Sequence, residues 1–360
     1  RAQENLYVAR AQQALQAGQY QEAILSLEMV TQLNPGNYAA GLTLAGLSQV
    51  AGQTYVADHI YERLMRDVPE QRRATAQIWF RTLLARAAYP RIQTLATVML
   101  SEDPAERAVW LNALFFACRQ TRDSTYLGTV LAHHTNLPEW CTELIGIEQM
   151  LLSDHPDRAL PRLIRIQRRP ASAYIPYYQI DRLLRRGLID QATTLLRAYE
   201  RQLQPTEAAF LRLRSYQAKG WTSLVGSECE SLLVYEMSPQ LIAQYCAYLV
   251  KYPDPAIFAR FSDRFTAAGI PVAAGTVSLH QAVYLAAVLA GDAPRADQIA
   301  ARITHYTASD ARVLRGLGEL LKKPAPNDPR LARILPLVPL PTEVIYAILE
   351  RPTPAPAPAK

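Results

Sequence analysis

Apolar positions along this chain recur at helical steps, and every element from Glu4 to Pro271 reads as helix, with no strand expected. The stretch GQYQEAILSLEMVTQLNPGN, residues 18–37, sets the pattern. Before it, ENLYVARAQQALQA forms one amphipathic helix; within it, YQEAILSLEMVTQL forms a second. Ala23 is small where two helices must approach, and Leu27, Val30 and Leu33 are predicted to face inward. Gly18 permits the tight turn between them. Asn34-Pro35 ends the second helix, because proline lacks the amide hydrogen and disfavours helix at the residue before it. The stretch is therefore part of one helical hairpin.

The hairpin repeats. Prolines fall at 35, 69, 104, 138, 170, 205, 239 and 271, at steps of 34, 35, 34, 32, 35, 34 and 32 residues. A period of this size marks an array of helical hairpins, none of which can bury its apolar face alone. With it come recurring residues: Tyr7, Gly18, Tyr20, Ala23, Leu27, Val30 and Pro35 in the first unit, and Leu44, Ala45, Gly52, Ala57, Tyr61, Leu64 and Pro69 in the second. In these residues the chain resembles the tetratricopeptide repeat family, most strongly over 4–70. From there to about 305 the signature decays while the period persists. The third unit has Ala87 where glycine stood, the sixth recovers Gly187, Ala192 and Pro205, and the eighth is interrupted by YPDP between its helices. The resemblance implies an all-α fold, a right-handed α-solenoid of about nine helical hairpins.

Four segments follow: a well-matched repeat pair (1–70), a degenerate solenoid (71–305), a terminal helix (306–323) and a proline-rich tail (324–360). Ser309 and Asp310 are placed to cap the terminal helix, and Lys322 and Lys323 suit the negative end of its dipole. Ten of the 25 prolines lie in the tail, and RPTPAPAPAK reads as extended polyproline. Within it PTEVIYAILE predicts a short amphipathic helix at 342–350, either docked on the final repeat as a cap or held on a tether as a partner-binding peptide.

In the family, inner-helix residues at the second, fifth, ninth and twelfth positions line a concave groove. These map to Asn5, Val8, Gln12 and Leu15, then Ala39, Leu42, Gly46 and Gln49, then Ala74, Gln77, Arg81 and Leu84. Members that clamp chaperone C-termini use lysine and asparagine where Val8 and Gln12 stand, which argues against that clamp here. The groove of the first two units reads as apolar and uncharged, suited to an amphipathic helix or apolar peptide. The sixth unit places Tyr174, Tyr177 and Asp181 at groove positions. Aromatics followed by Arg182, Arg185 and Arg186 are residue types that anchor interfaces, and equally ones that pack cores and helix ends.

Charge sharpens the middle of the chain. The whole carries a net charge of +6, from 33 arginines and 5 lysines against 32 acidic residues, with no lysine before Lys219. A skew this large reads as genomic base bias more than as function. Residues 158–214 hold 12 arginines against Asp181, Asp190, Glu200 and Glu207. Arg158, Arg162, Arg165 and Arg169, at steps of 4, 3 and 4, would share one arc of a helix, with Leu160, Leu163 and Ile164 opposite. Such a stripe is a solvated outer face, or the site of an anionic partner such as a protein with an acidic surface.

Hydrophobic residues at 49% and charged residues at 19% indicate folded protein. The longest apolar run, AVYLAAVLA at 282–290, is about half of what a membrane-spanning helix needs. The sequence opens on Arg1, which leaves room upstream for a signal peptide or anchor. Localisation therefore reads as cytoplasmic or as the soluble domain of a membrane-anchored bacterial envelope protein. Cys118, Cys141, Cys229 and Cys246 lack zinc-ligand spacing and read as buried thiols, with a Cys118–Cys141 disulfide as the alternative that sequence does not place. His133 and His134, ahead of Cys141, form no recognised ligand pattern. No HExxH, GxSxG or GxxxxGK[ST] occurs.

The expectation is a scaffold that is not an enzyme, takes no cofactor and holds a protein partner. Its candidate contact residues are Tyr174, Tyr177, Asp181, Arg185, Arg158, Arg162, Arg165, Arg169, Asn5, Gln12, Gln49 and Arg81. Two alternatives stay open. One is an RNA-binding repeat protein, because LLRRGLIDQATTLLRAYERQLQPTEAAF resembles a pentatricopeptide repeat; the positive charge is confined to one region, so nucleic acid is the less expected partner. The other is an accessory or regulatory domain, the soluble part of a membrane-anchored envelope protein.

Overall fold

The computed structural model describes residues 2–134, 136–153, 156–166, 173–306, 308–322 and 328–351, without the side chains of 305, 306 and 308–310. Arg169 and the Pro-Ala tail beyond Arg351 lie outside the described residues. No strand occurs among them, and the helices follow one another in nine pairs. In chain order these are α1 (Ala2–Gln16) and α2 (Tyr20–Leu33), α3 (Tyr38–Val50) and α4 (Thr54–Asp67), and α5 (Arg72–Ala85) and α6 (Tyr89–Glu102). Next come α7 (Arg107–Thr121) and α8 (Ser124–His133), α9 (Glu139–Leu152) and α10 (Leu160–Ile164), and α11 (Tyr174–Arg185) and α12 (Ile189–Tyr199). The last three pairs are α13 (Pro205–Ala218) and α14 (Thr222–Leu232), α15 (Pro239–Lys251) and α16 (Pro255–Ala267), and α17 (Val277–Ala290) and α18 (Ala293–Tyr306). Then follow α19 (Ala308–Lys322), α20 (Pro329–Ile334) and α21 (Thr342–Leu349). This is the all-α array of hairpins that the proline period predicts.

The chain divides into two compact units, Arg1–Leu114 and Phe115–Lys360. In the first, Ala23 and Ala57 are fully buried at the crossings of their hairpins. Gly41 lies so close to Leu64 that an added Cβ would stand 2.7 Å from its Cδ2. Leu33, expected inward, is 45% exposed. At about 100° per residue it sits some 120° around α2 from Leu27, outside the arc held by Ala23, Leu27 and Val30. Asn37 caps α3 through its Oδ1, while its amide and that of Asn34 both donate to Glu4 Oε1, at 2.9 and 2.8 Å. The residues that stop α2 thus also tie down the start of α1. Deeper in, Asp58 is buried and accepts from Trp79 Nε1 at 2.8 Å and from Arg86 at 2.6 Å.

In the second unit, α17 contains the long apolar run and is buried along nearly its whole length, packed by α15, α16, α18 and α19. A helix apolar on all sides needs neighbours on all sides. The fifth pair departs from expectation. In place of a full second helix there is a 3-10 turn at Pro156–Ala159 and the five-residue α10. Pro161 has no amide hydrogen to extend the helix backward, and the backbone leaves helical geometry at Arg165. Arg158, Arg162 and Arg165 are exposed, but they do not share one continuous helix, and Ile164 is itself 40% exposed instead of lying on a buried opposite face. The terminal helix begins at Ala308, which places Ser309 and Asp310 within its first turn instead of ahead of it.

Most of the hairpin turns use one residue with positive φ. Gly18 and Gly52 supply it at 71° and 78°, whereas Ala87 and Arg122 hold 53° and 55° at the matching places in the third and fourth pairs. A left-handed conformation costs a residue with a Cβ about 1–2 kcal/mol. Ala87→Gly is expected to stabilise the first unit by about 1 kcal/mol, read as a higher urea midpoint, after the loss to unfolded-chain entropy. Gly52→Ala should lower it.

Candidate functional site

The second unit carries a line of charged and aromatic groups on the first helices of successive pairs. Glu148 of α9 is fully buried. It accepts from Tyr178 Oη at 2.6 Å and pairs with Arg182 Nε at 3.0 Å, both on α11, and with Arg119 of α7 at 3.4 Å. Between these two on α11, Asp181 accepts from Arg185 Nε at 2.8 Å and from Arg214 of α13 at 2.5 Å. Burial alone would push the Asp181 pKa up. Arg185 and Arg214, backed by Arg119 and Arg182, outweigh it and hold this carboxyl well below the usual carboxylate range.

Helix α21 completes the line. It packs on α15, with Val344, Ile345, Ala347 and Ile348 buried. Tyr346 meets the ring of Phe116 edge to face, centroids 4.5 Å apart. Directly after the helix, Glu350 receives a bidentate pair from Arg185 at 3.0 and 3.2 Å and lies 3.5 Å from Lys251 Nζ. Arg351 donates to the Leu321 carbonyl at the end of α19 at 2.5 Å. The short helix therefore docks on the eighth pair and its neighbours; the alternative of a cap on the final repeat is corrected, because its apolar face meets α15 and its carboxylate reaches Arg185. Burial would raise the Glu350 pKa, but Arg185 and Lys251 bring it below its ordinary value of 4.5. Burial lowers the Lys251 pKa, Glu350 pushes it back up, and Arg185 and Arg214 add to the fall.

Of the residues expected to bind a partner, Tyr174, Tyr177, Asp181 and Arg185 lie together on α11. Tyr174 packs with Trp140, Tyr177 and Tyr178, centroids 6.2–6.5 Å apart, and burial pushes the phenols of both Tyr174 and Tyr177 up. Asp181 and Arg185 are engaged by Arg214 and Glu350. In the first unit Asn5, Gln12 and Arg81 are exposed and Gln49 is half-buried. Sequence reasoning missed Phe116, Arg119, Glu148, Arg214, Lys251 and Glu350. A signal for part of this set exists. Carboxylates and arginines on neighbouring pairs stand about one repeat apart, as in Arg214–Asp181 at 33 residues, Arg295–Asp263 at 32 and Arg73–Asp103 at 30. Glu350 meets Arg185 across 165 residues, and no local pattern marks that.

All four cysteines are buried, and burial pushes the Cys229 thiol up to about 11. No described helix is long and apolar enough to cross a membrane. A cleft of about 460 Å³ between α14, α15 and α16 is lined in part by Lys251, Asp254 and Arg260.

No family model and no curated protein matches the chain. Among solved structures, the chain is similar to the TPR domain of P58(IPK), at 14% identity over 96% of each chain with a TM-score of 0.25. At that score the superposition adds nothing to the assignment of fold class, which stands on the order and pairing of the helices.

Two outcomes follow from these contacts. Glu148→Ala strands Arg182, whose side chain is 7% exposed, without its counter-charge; a loss of about 3–5 kcal/mol in unfolding free energy is expected, and less for Glu148→Gln. A lowered docked pKa means that the Glu350 pairs stabilise docking fully above 4.5 and lose that contribution as pH falls through the docked value. Asp181 is held further down. On acidification, amides of 344–349 should lose hydrogen-exchange protection before those of α11 do.

Proposed function

We propose that the protein is a non-catalytic scaffold that holds a partner protein, and that the first-helix face of its second unit binds a short helix. The observation that carries this is α21. An apolar helix with a terminal carboxylate already lies on that face, held by α15 and by two cations. A surface that accepts one such helix has the apolar floor and charged rim of a helix-binding groove.

The arginines weigh toward protein and away from nucleic acid. Within 158–214, Arg182, Arg185, Arg212 and Arg214 are committed to carboxylates, and Arg186 donates to the Leu151 carbonyl at 2.9 Å. Five of the twelve arginines counted there are thus engaged by the fold itself, which weakens the case for a phosphate-binding stripe built from all of them. Arg158, Arg162 and Arg165 are exposed and provide a second, separate contact region for an acidic partner.

Affinity capture with the full chain tests this. Tyr174→Ala with Tyr177→Ala, folding verified by circular dichroism, is expected to cut partner recovery about 10-fold if α11 anchors the complex. Reversal of Arg158, Arg162, Arg165 and Arg169 to Glu asks the same of the exposed arginines, and unchanged recovery would remove them from the interface. Retention of RNA that falls steeply with salt would replace this reading with a phosphate-driven one.

A further inference from the structure

We propose that residues 342–350 are a displaceable occupant of the second unit's groove. The partner that replaces them presents the same chemistry: a short helix with apolar residues at i, i+1, i+3 and i+4, and a carboxylate two residues after the last of them. The inference rests on the proposed scaffold function and names both the partner class and the switch.

Charge complementarity is the first argument. With Glu350 set aside, the linked groups on α7, α9, α11, α13 and α15 comprise five cations, Arg119, Arg182, Arg185, Arg214 and Lys251, against two carboxylates, Glu148 and Asp181. Arg185 spans the gap: its Nε binds Asp181 and its two terminal nitrogens bind Glu350 as a fork. A planar bidentate site of this kind fits a carboxylate and discriminates against a neutral end. Removing Glu350 leaves Arg185 half-satisfied beside Lys251 and Arg214, so an empty groove demands an anion.

The second argument is energetic. Helix α21 has eight residues, and Val344, Ile345, Ala347 and Ile348 make up its buried apolar side. Such a helix is too short to persist alone in water. The apolar burial of a few side chains is of the same size as the cost of ordering eight residues, so docking rests on the ion pairs and on the tether. A tethered helix binds at a high effective concentration, which offsets a weak intrinsic affinity. Pro339 and Pro341 before it and Pro352 after it prevent helix from extending in either direction, so the segment is a discrete element that leaves as a unit.

The test uses the full chain and a labelled peptide of residues 340–351, LPTEVIYAILER, followed by fluorescence anisotropy. In Ile345→Glu/Ile348→Glu the chain's own helix no longer docks, and the peptide should bind about 10-fold or more tighter than to wild type, because the tethered competitor is gone. Adding Arg185→Glu to that variant, or Glu350→Lys to the peptide, should weaken binding about 10-fold or more. Equal affinity for wild type and opened chain, or indifference to Arg185, overturns the proposal. Hydrogen exchange on the unmodified protein provides a measurement that no variant's misfolding can confuse. Amides of 344–349 should exchange about 10-fold or more faster than those of 245–250 in α15; equal protection, meaning that the helix opens only with the whole unit, overturns the proposal too. A peptide that binds while affinity capture finds no partner sinks the scaffold reading and leaves the groove; a partner recovered with no peptide binding does the reverse.

Discussion

A pair of antiparallel helices has more apolar surface than the two can cover for each other, and this shortfall organises the molecule. Each hairpin must lean on the next, so the chain repeats the same small residues at the crossing points and the same turn between helices. Where a hairpin is weakened, as in the fifth pair with its five-residue second helix, its first helix is held instead by the buried Glu148. Where a helix is enclosed on every side, as α17 is, the sequence loses its polar stripe.

Polar groups follow the same logic. Buried carboxylates are matched by arginines of an adjoining pair: Asp58 by Arg86 of the third, Asp181 by Arg214 of the seventh, and Glu148 from both sides by Arg119 and Arg182. A buried ion pair rarely adds much net stability, since desolvation opposes the attraction, but a carboxylate gripped from two sides fixes the register of one hairpin on the next. In the second unit the same device runs past the last intra-repeat partner and ends on Glu350. The second unit's internal electrostatics and its candidate binding site are one continuous system.

The array itself was legible. The proline spacing, the turn glycines and the apolar period located nine helix pairs, and the short helix at 342–349 stands where PTEVIYAILE pointed. The site was legible only in part. Tyr174, Tyr177, Asp181 and Arg185 share a helix that the period exposes, and opposite charges about a repeat apart would have added Arg214. Glu350 belongs to a contact made by folding the tail back over many residues, which neither periodicity nor propensity encodes. Composition misled in one respect. Some of the arginines in that count, Arg182, Arg185 and Arg214 among them, are structural ties while Arg158, Arg162 and Arg165 are solvated, because a count cannot distinguish a paired guanidinium from a solvated one, and Pro161 interrupts the helix on which the stripe depended.

Lysine is scarce in this chain, and that gives Lys251 a particular standing. Its ammonium is held between burial, which favours the neutral amine, and Glu350, which restores the charge. Departure of the tail would remove the carboxylate that raises its pKa and, in the same event, relieve the burial that lowers it. With only five lysines in 360 residues, acylation mapped to Lys251 against the other four would report whether the groove is filled.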